Sequence, residues 1–462
     1  MHFIVVPSFL EDYLGRAGAV NEPAAVTTDH PDGRSSTSRT ALIGTAALTA
    51  LVVAGMVGAG VFTTSGFLMA DVGDPWWVLG VWGVGGGVAV FGAMAYGQLA
   101  GRIAENGGEY LYLSRSVHPA AGFVAGVVSM TAGFTGSAAY AALAFEAYAG
   151  GYGSLGGLPD GAVAIGVVGV ATVVHAVGAI GGARVQAVVV AVKLGLVAAF
   201  LGVAFWSVGD WRGGAGQGSG LGRGGGNAAT WGTLATSLMW VSLSYSGFNA
   251  AIYVAGEAKD GAAGVRWAMV VGTVVVTAAY LLLNAVFVFA PDAAAIAGQE
   301  AVALIAADVV GGERLAGLVR VVVCLGLATG VSASVLAGPR VYLRMIDDGW
   351  FPPSVGRWMT LRRAVVLQGV AVAALVPLAS LRGLLSYLGM TLAACSAATV
   401  ATLIPGGMRE RSWSVAVPVI YVAATIDIVA VTAWNKPGEA VALGATTVVG
   451  VVGYAISRRF RD

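Results

Sequence analysis

The sequence predicts an all-α membrane protein of twelve transmembrane helices, with a 5+5 inverted repeat, broken helices 1 and 6, and two additional helices, 11 and 12. Three observations predict it. Of 462 residues, 57% are hydrophobic and only 11% charged, with a mean hydropathy of +0.81, whereas a soluble chain carries about a quarter charged residues. Apolar runs of roughly twenty residues, enough to cover a hydrocarbon core of about 30 Å, recur along nearly the whole chain. Two of those runs are interrupted midway, at Gly55-Met56-Val57-Gly58-Ala59-Gly60-Val61-Phe62 and at Ser242-Leu243-Ser244-Tyr245-Ser246-Gly247-Phe248-Asn249. Backbone freed from a helix inside lipid costs several kcal/mol per unsatisfied group and is kept only where it lines a cavity or is buried in protein.

Taken in order, residues 1–40 are polar, with Glu-Pro and Ser-Ser-Thr-Ser runs, and read as a disordered cytoplasmic tail. His2 to Leu10 is too short for a signal h-region and lacks a basic n-region, so the first membrane helix is expected to be its own uncleaved insertion signal. Residues 41–457 form a single membrane domain: 41–207 the first repeat, 230–405 the inverted second repeat, 413–457 the two additional helices. The first six spans lie near 41–69, 76–99, 119–149, 161–180, 185–207 and 230–256. The others lie near 265–290, 314–343, 364–380, 384–405, 413–434 and 440–457, with a short tail at 458–462. Connections are short apart from a Gly-rich stretch at Trp211–Asn227, a loop near Pro291–Gly312 and a hairpin loop around Asp347–Arg363.

Charge sets the orientation. With the N-terminus inside, eighteen Lys and Arg fall on cytoplasmic segments and six on external ones, leaving Lys193 within a span. Both termini are therefore expected in the cytoplasm. The interrupted spans, first and sixth, open two successive five-helix units. An odd number of helices per unit inverts the second against the first, the design that forms a midplane site between two broken helices.

Gly58-Ala59-Gly60 carries only small residues, so its N–H groups stay uncovered and can face a ligand. A half-helix starting there has a partially positive N-terminus, which suits a carboxylate. The same residues would also serve as a packing face. A soluble dinucleotide fingerprint is excluded, because no βαβ unit surrounds them. Ser244-Tyr245-Ser246-Gly247 offers the converse. Unwinding there frees the carbonyls of Leu243, Ser244 and Ser246 to accept from an ammonium group. Tyr245 and Phe248 could wall the pocket, and Asn249 could bond to the ligand or to the other break. A serine-stabilised kink would also explain the pattern. Donors facing acceptors describe the two ends of an α-amino acid, which makes Gly58, Ala59, Gly60, Leu243, Ser244, Ser246, Phe248 and Asn249 the candidate substrate-binding residues.

Lys193 lies deep in the fifth span, about eight residues from Arg184. An ammonium at that depth is costly and marks function by default. The cost of burying the charge makes proton exchange possible, although a snorkelling lysine is the plainer alternative. Glu146, His175 and Asp427 read as interfacial or packing residues. Cys324 and Cys395 sit far apart in apolar spans and suggest neither a disulfide nor a metal site. No His-Glu-Asp cluster at metal spacing and no Ser/His/Asp set is apparent, so no enzyme, metal or cofactor is expected.

Four landmarks together resemble amino acid permeases of the amino acid–polyamine–organocation (APC) superfamily. Gly55 to Phe62 is similar to the family's G-x-I-G-x-G-I-F. Gln98-Leu99-Ala100-Gly101-Arg102 with Asn106-Gly107-Gly108-Glu109-Tyr110-Leu111-Tyr112 resembles its E-L-A…G-G-x-Y-x-Y loop. Ser244 to Asn249 followed by Gly256-Glu257-Ala258-Lys259 is similar to the helix-six pattern. Ala337-Gly338-Pro339-Arg340-Val341-Tyr342 with Asp348-Gly349-Trp350-Phe351-Pro352 resembles the signature closing helix eight. The chain departs from these patterns in four places. Ala59 replaces a frequent serine, removing one hydroxyl contact, and Gln98 replaces an acidic residue. Ile103-Ala104-Glu105 lacks a proline, and Asp260-Gly261 replaces Asn-Pro.

The resemblance implies a cell-membrane secondary transporter that alternates between outward- and inward-open states. Helix-one amides at Gly58, Ala59 and Gly60 would hold the substrate carboxylate, and helix-six carbonyls at Leu243, Ser244 and Ser246 the amino group. Lys193 matches the helix-five lysine of proton-coupled relatives and is the expected proton-coupling residue. Neither break holds an acidic side chain, which favours neutral amino acids. The expected partners are that small molecule and the bilayer, with no nucleic acid. Exchange or sodium coupling is the alternative within transport. Ser332 and Ser334 could help a sodium site, which the Lys193 cation would oppose. A non-transporting membrane sensor is the alternative outside it.

Overall fold

The computed structural model describes residues 43–103, 105, 107–150, 157–177, 182–207, 230–405 and 415–460. The predicted tail 1–40, the stretch Trp211–Asn227 and the last two residues of the tail 458–462 lie outside them. Each predicted span is helical within the described residues, and no sheet is present among these. The predicted first repeat contains α1 Thr45–Met56, α2 Gly60–Val72, α3 Pro75–Arg102 and a loop helix α4 Gly108–Ser116. Its third span joins α5 Pro119–Val128, a π-helical turn Ser129–Gly136 and α6 Ser137–Ala149, and α7 Ala162–Ala176 and α8 Gly182–Ser207 follow. The second contains α9 Trp231–Ser244, a 3₁₀ helix Ala250–Glu257, α10 Gly261–Phe289, α11 Ala293–Ile296, α12 Val302–Asp347 and α13 Pro353–Trp358. It ends with α14 Leu361–Leu375 and α15 Leu381–Ala401, before α16 Ala416–Asn435 and α17 Pro437–Ser457.

Among the described residues, eight helices are long and apolar enough to cross a membrane, and the pair α1–α2, bent by 42°, makes a ninth. The count of twelve is not reached by length and composition. α7 and the Ala191–Ser207 part of α8 are shorter apolar helices, and α9 stops after 14 residues at its break. The predicted loop near Pro291–Gly312 also differs. The apolar run from Val302 continues as helix to Gly311 and Gly312, where φ of +68° at Gly312 turns the chain before the long part of α12.

Local chemistry sets the helix ends. Asp74 caps α3 by accepting from the N–H groups of Trp76 (2.7 Å) and Trp77 (3.2 Å), with Pro75 in the first turn. Thr230, Thr360 and Ser380 cap α9, α14 and α15 in the same way. Glu146 accepts from the N–H groups of Gly161 (2.6 Å) and Ala164 (2.8 Å), so it caps α7.

The broken spans pack on each other through α2 and α9, and α3 packs on α10, α6 on α12 and α7 on α14. α16 lies against α3, α9 and α15, and α17 lies against α5. The buried aromatics with polar atoms find partners, as groups in a dry core must. Trp82 donates to Ser65 (2.9 Å), Trp240 to Ser386 (2.8 Å) and Tyr148 to the Phe62 carbonyl (2.6 Å).

Two ties join segments distant in sequence at opposite ends of the bundle. At one, Arg382 at the start of α15 pairs with Asp71 at the end of α2, and its guanidinium lies 4.9 Å from the Trp240 ring centre. At the other, Ile43 bridges to the strand-like residues after the 3₁₀ helix, with Lys259 N–H donating to the Ile43 carbonyl at 2.8 Å. Beside it Asp260 accepts from the Thr45 hydroxyl (2.6 Å) and N–H (3.1 Å), which hold its carboxyl below the usual aspartate range. The loop helix is fastened to the hairpin after α12. Tyr110 donates to Asp348 at 2.5 Å and accepts from Trp350 at 2.9 Å, and burial together with Asp348 pushes the Tyr110 hydroxyl up to about 12.

Candidate functional site

The first break spans Val57–Ala59, between the end of α1 and the start of α2. Breaking a helix orphans carbonyls, and in an apolar interior each needs a donor. Two of them are met by side chains from other spans. The Tyr280 hydroxyl of α10 donates to the Met56 carbonyl at 2.6 Å, and the Lys193 ammonium of α8 donates to the Val57 carbonyl. Lys193 is 7% exposed, and its stem runs alongside Gly326 of α12. Gly58 stays exposed although it lies mid-span.

The second break runs from Tyr245 to Asn249, between α9 and the 3₁₀ helix, and turns on Gly247 at φ +105°. The Leu243 carbonyl accepts from Ser246 N–H at 2.9 Å, and the Ser244 carbonyl accepts from Tyr280 at 3.2 Å. Among the described residues no donor reaches the Ser246 carbonyl, which leaves it the open acceptor of the three.

The two breaks touch. A Cβ on Gly247 would stand 2.6 Å from the Gly55 carbonyl oxygen and 3.1 Å from Met56 N, and one on Gly60 would stand 2.8 Å from Ser244 Cα. Glycine is thus required on both sides of the contact. Thr64 and Ser244 hydroxyls add a bond of 3.2 Å. A π-helical turn, a feature that recurs at functional sites, interrupts the third span. An apolar cavity of about 70 Å³ borders Phe62, Phe200, Phe287 and Val319 beyond the break, outside the contact between the two breaks.

The predicted residues divide into two places. Gly58, Ala59, Gly60, Leu243, Ser244 and Ser246 lie at the contact between the breaks, with Lys193 against its first half. Ala59 is buried, and its carbonyl accepts from Phe62 N–H (3.1 Å) and the Thr63 hydroxyl (3.2 Å). Phe248 packs edge-on to Tyr96 at 5.5 Å and Tyr421 at 6.3 Å, and the Asn249 amide donates to Glu109 at 2.5 Å. Phe248 therefore faces α3 and α16, and Asn249 the loop helix. His175 bonds to Ser332 at 2.7 Å, joining α7 to α12.

Sequence reading passed over Tyr280 and Glu109. Tyr280 is the hydroxyl that bridges both breaks, and its only signal was a single tyrosine amid apolar residues. Glu109 stood in a recognised motif with no role attached.

A sequence profile of the family described as amino acid permease matches residues 43–441. Among solved structures, the chain resembles Mhp1, a nucleobase-cation-symport-1 family transporter in a closed conformation with bromovinylhydantoin bound. The match covers 93% of this chain and 96% of that one at 15% identity, with a TM-score of 0.54. At that identity the likeness speaks for the fold alone. With the interrupted first and sixth spans in contact, and a profile that covers most of the sequence, the chain belongs to the amino acid permease family of the APC superfamily and is a multi-pass secondary transporter rather than an enzyme.

Proposed function

We propose that this transporter carries neutral amino acids across the cell membrane by alternating access, coupled to protons through Lys193. In this reading all twelve segments cross the bilayer, the two five-helix units are inverted copies, and both termini are cytoplasmic. The observation that carries it is the contact between the breaks. It brings the first break, with the exposed Gly58, against the second, whose Ser246 carbonyl has no donor among the described residues; the N–H groups of Gly58–Gly60 would serve a carboxylate and that carbonyl an ammonium. Opening the contact would admit the ligand between them. Lys193 supports proton coupling because its ammonium holds the Val57 carbonyl at the break itself. Losing the proton weakens that bond, so protonation and the geometry of the first break are linked.

Proteoliposome uptake of labelled neutral amino acids, driven by an imposed pH gradient, tests this. The wild type should concentrate at least one of them. Lys193→Ala should lose the response to the gradient and keep counterflow of labelled against unlabelled substrate. Uptake driven by sodium, or by a nucleobase in place of any amino acid, would contradict the proposal. So would a Lys193→Ala variant that follows the pH gradient as the wild type does.

A further inference from the structure

We propose that Glu109 is a second proton-binding site, which fastens the segment after the sixth-span break while ionised and releases it when protonated. This rests on the transporter reading above but does not depend on Lys193. Glu109 lies at the start of α4, between the second and third spans, and is 7% exposed. Its carboxylate accepts three hydrogen bonds: to Oε1 from the Tyr96 hydroxyl (2.9 Å) and the Asn249 amide (2.5 Å), and to Oε2 from the Tyr253 hydroxyl (2.5 Å). Three further titratable groups interact with it: Tyr112 of α4, Cys395 of α15 and Tyr421 of α16. Arg266 of α10 lies against Gly97 and Gly101 of α3 on the same end of the bundle.

Three donors converging on one carboxyl group fit the ionised form, which only accepts. A proton turns one oxygen into a donor aimed at hydroxyl or amide hydrogens. It also removes the charge that makes the remaining bonds roughly twice as strong as neutral ones. The donors are unequally placed. Asn249, the last residue of the break, and Tyr253, in the 3₁₀ helix that follows it, both lie beyond the turn at Gly247. Tyr96 belongs to α3 and continues to Ser396 (3.0 Å) and from there to Tyr421 (2.8 Å), on α15 and α16. The carboxylate therefore ties the piece after the break to the helices around it. By linkage, a proton that binds better when that piece has moved away must drive it away to the same extent. The charge bias places this cluster at the cytoplasmic end, so its release would open the inner side of the site.

Cys395 is half-buried beside Glu109 and reports on this directly. The full-length protein carrying Cys324→Ala, in lipid nanodiscs, is treated with a water-soluble maleimide at one pH. Glu109→Gln, with a single acceptor oxygen and no charge, should label Cys395 about tenfold faster or more, the shift expected when a hydrogen bond to a charged group is lost. Removing the charge could alter the thiol's reactivity by itself, so Tyr253→Phe, which keeps the carboxylate, is the deciding variant and should likewise label faster. Tyr253→Phe labelling at the parent rate would overturn the latch, whether or not Glu109→Gln folds. In proteoliposomes, Glu109→Gln should flatten the pH dependence of counterflow. A profile that follows the parent's would overturn the proton site even if the labelling rises. If no amino acid is carried by any variant, the transporter reading fails, and the labelling still decides the latch.

Discussion

Gly247→Ala isolates the contact between the two breaks. The position has φ of +105°, a conformation that costs an L-residue about 1–2 kcal/mol. The added Cβ would also meet only backbone: Gly55 O at 2.6 Å, Gly55 C at 2.7 Å and Met56 N at 3.1 Å. Ordinary carbon contacts lie near 3.5–4.0 Å, and a backbone on a packed helix cannot rotate aside as a side chain can. Overpacking of this kind costs about 1–3 kcal/mol, so the total expected is about 2–5 kcal/mol. Gly349→Ala is the matched control, with φ of +80° and no atom within 4 Å of its Cβ. It should cost only the backbone share, about 1–2 kcal/mol. Denaturant or thermal unfolding in detergent gives the stability difference, and counterflow gives the functional one. Gly247→Ala should be the less stable and should abolish exchange, while Gly349→Ala keeps it. Equal losses of stability in the two variants would refute the contact.

Two further outcomes follow from the same geometry. Tyr280→Phe removes the hydroxyl that serves the Met56 and Ser244 carbonyls, and the acceptors left bare should cost about 1–3 kcal/mol, read as a lower melting temperature together with slower counterflow. Asp260 contributes a tie between the start of the first span and the start of α10. Its carboxyl is held low by Thr45, so the contribution is present above the ordinary aspartate value near ~3.9 and is lost as pH falls through the lower folded value. Melting temperature should therefore decline in acid below about pH 4, and Asp260→Asn should flatten that decline.

The helical membrane fold was legible because the bilayer demands long apolar runs, and the breaks were legible because Gly58, Gly60 and Gly247 interrupt such runs where nothing else would. Composition could not give the crossing number, since α7 and α9 are short and owe their place to packing. The site was half legible. Backbone roles at Gly58–Gly60 and Ser244–Ser246 follow from chain position, which sequence shows. Tyr280 and Glu109 act across the fold, 224 residues from Met56 and 140 from Asn249. No local pattern marks a partner so distant. Asn249 shows the same limit: its amide chemistry was evident, but the carboxylate it serves was supplied by another segment.

Cryo-electron microscopy of the protein with a transported amino acid bound tests the central claim most directly. Density for the carboxylate should lie against the Gly58, Ala59 and Gly60 amides, and the ammonium should lie within hydrogen-bond distance of the Ser246 carbonyl. Ligand density seated elsewhere, with the two interrupted helices still locked together, would contradict it.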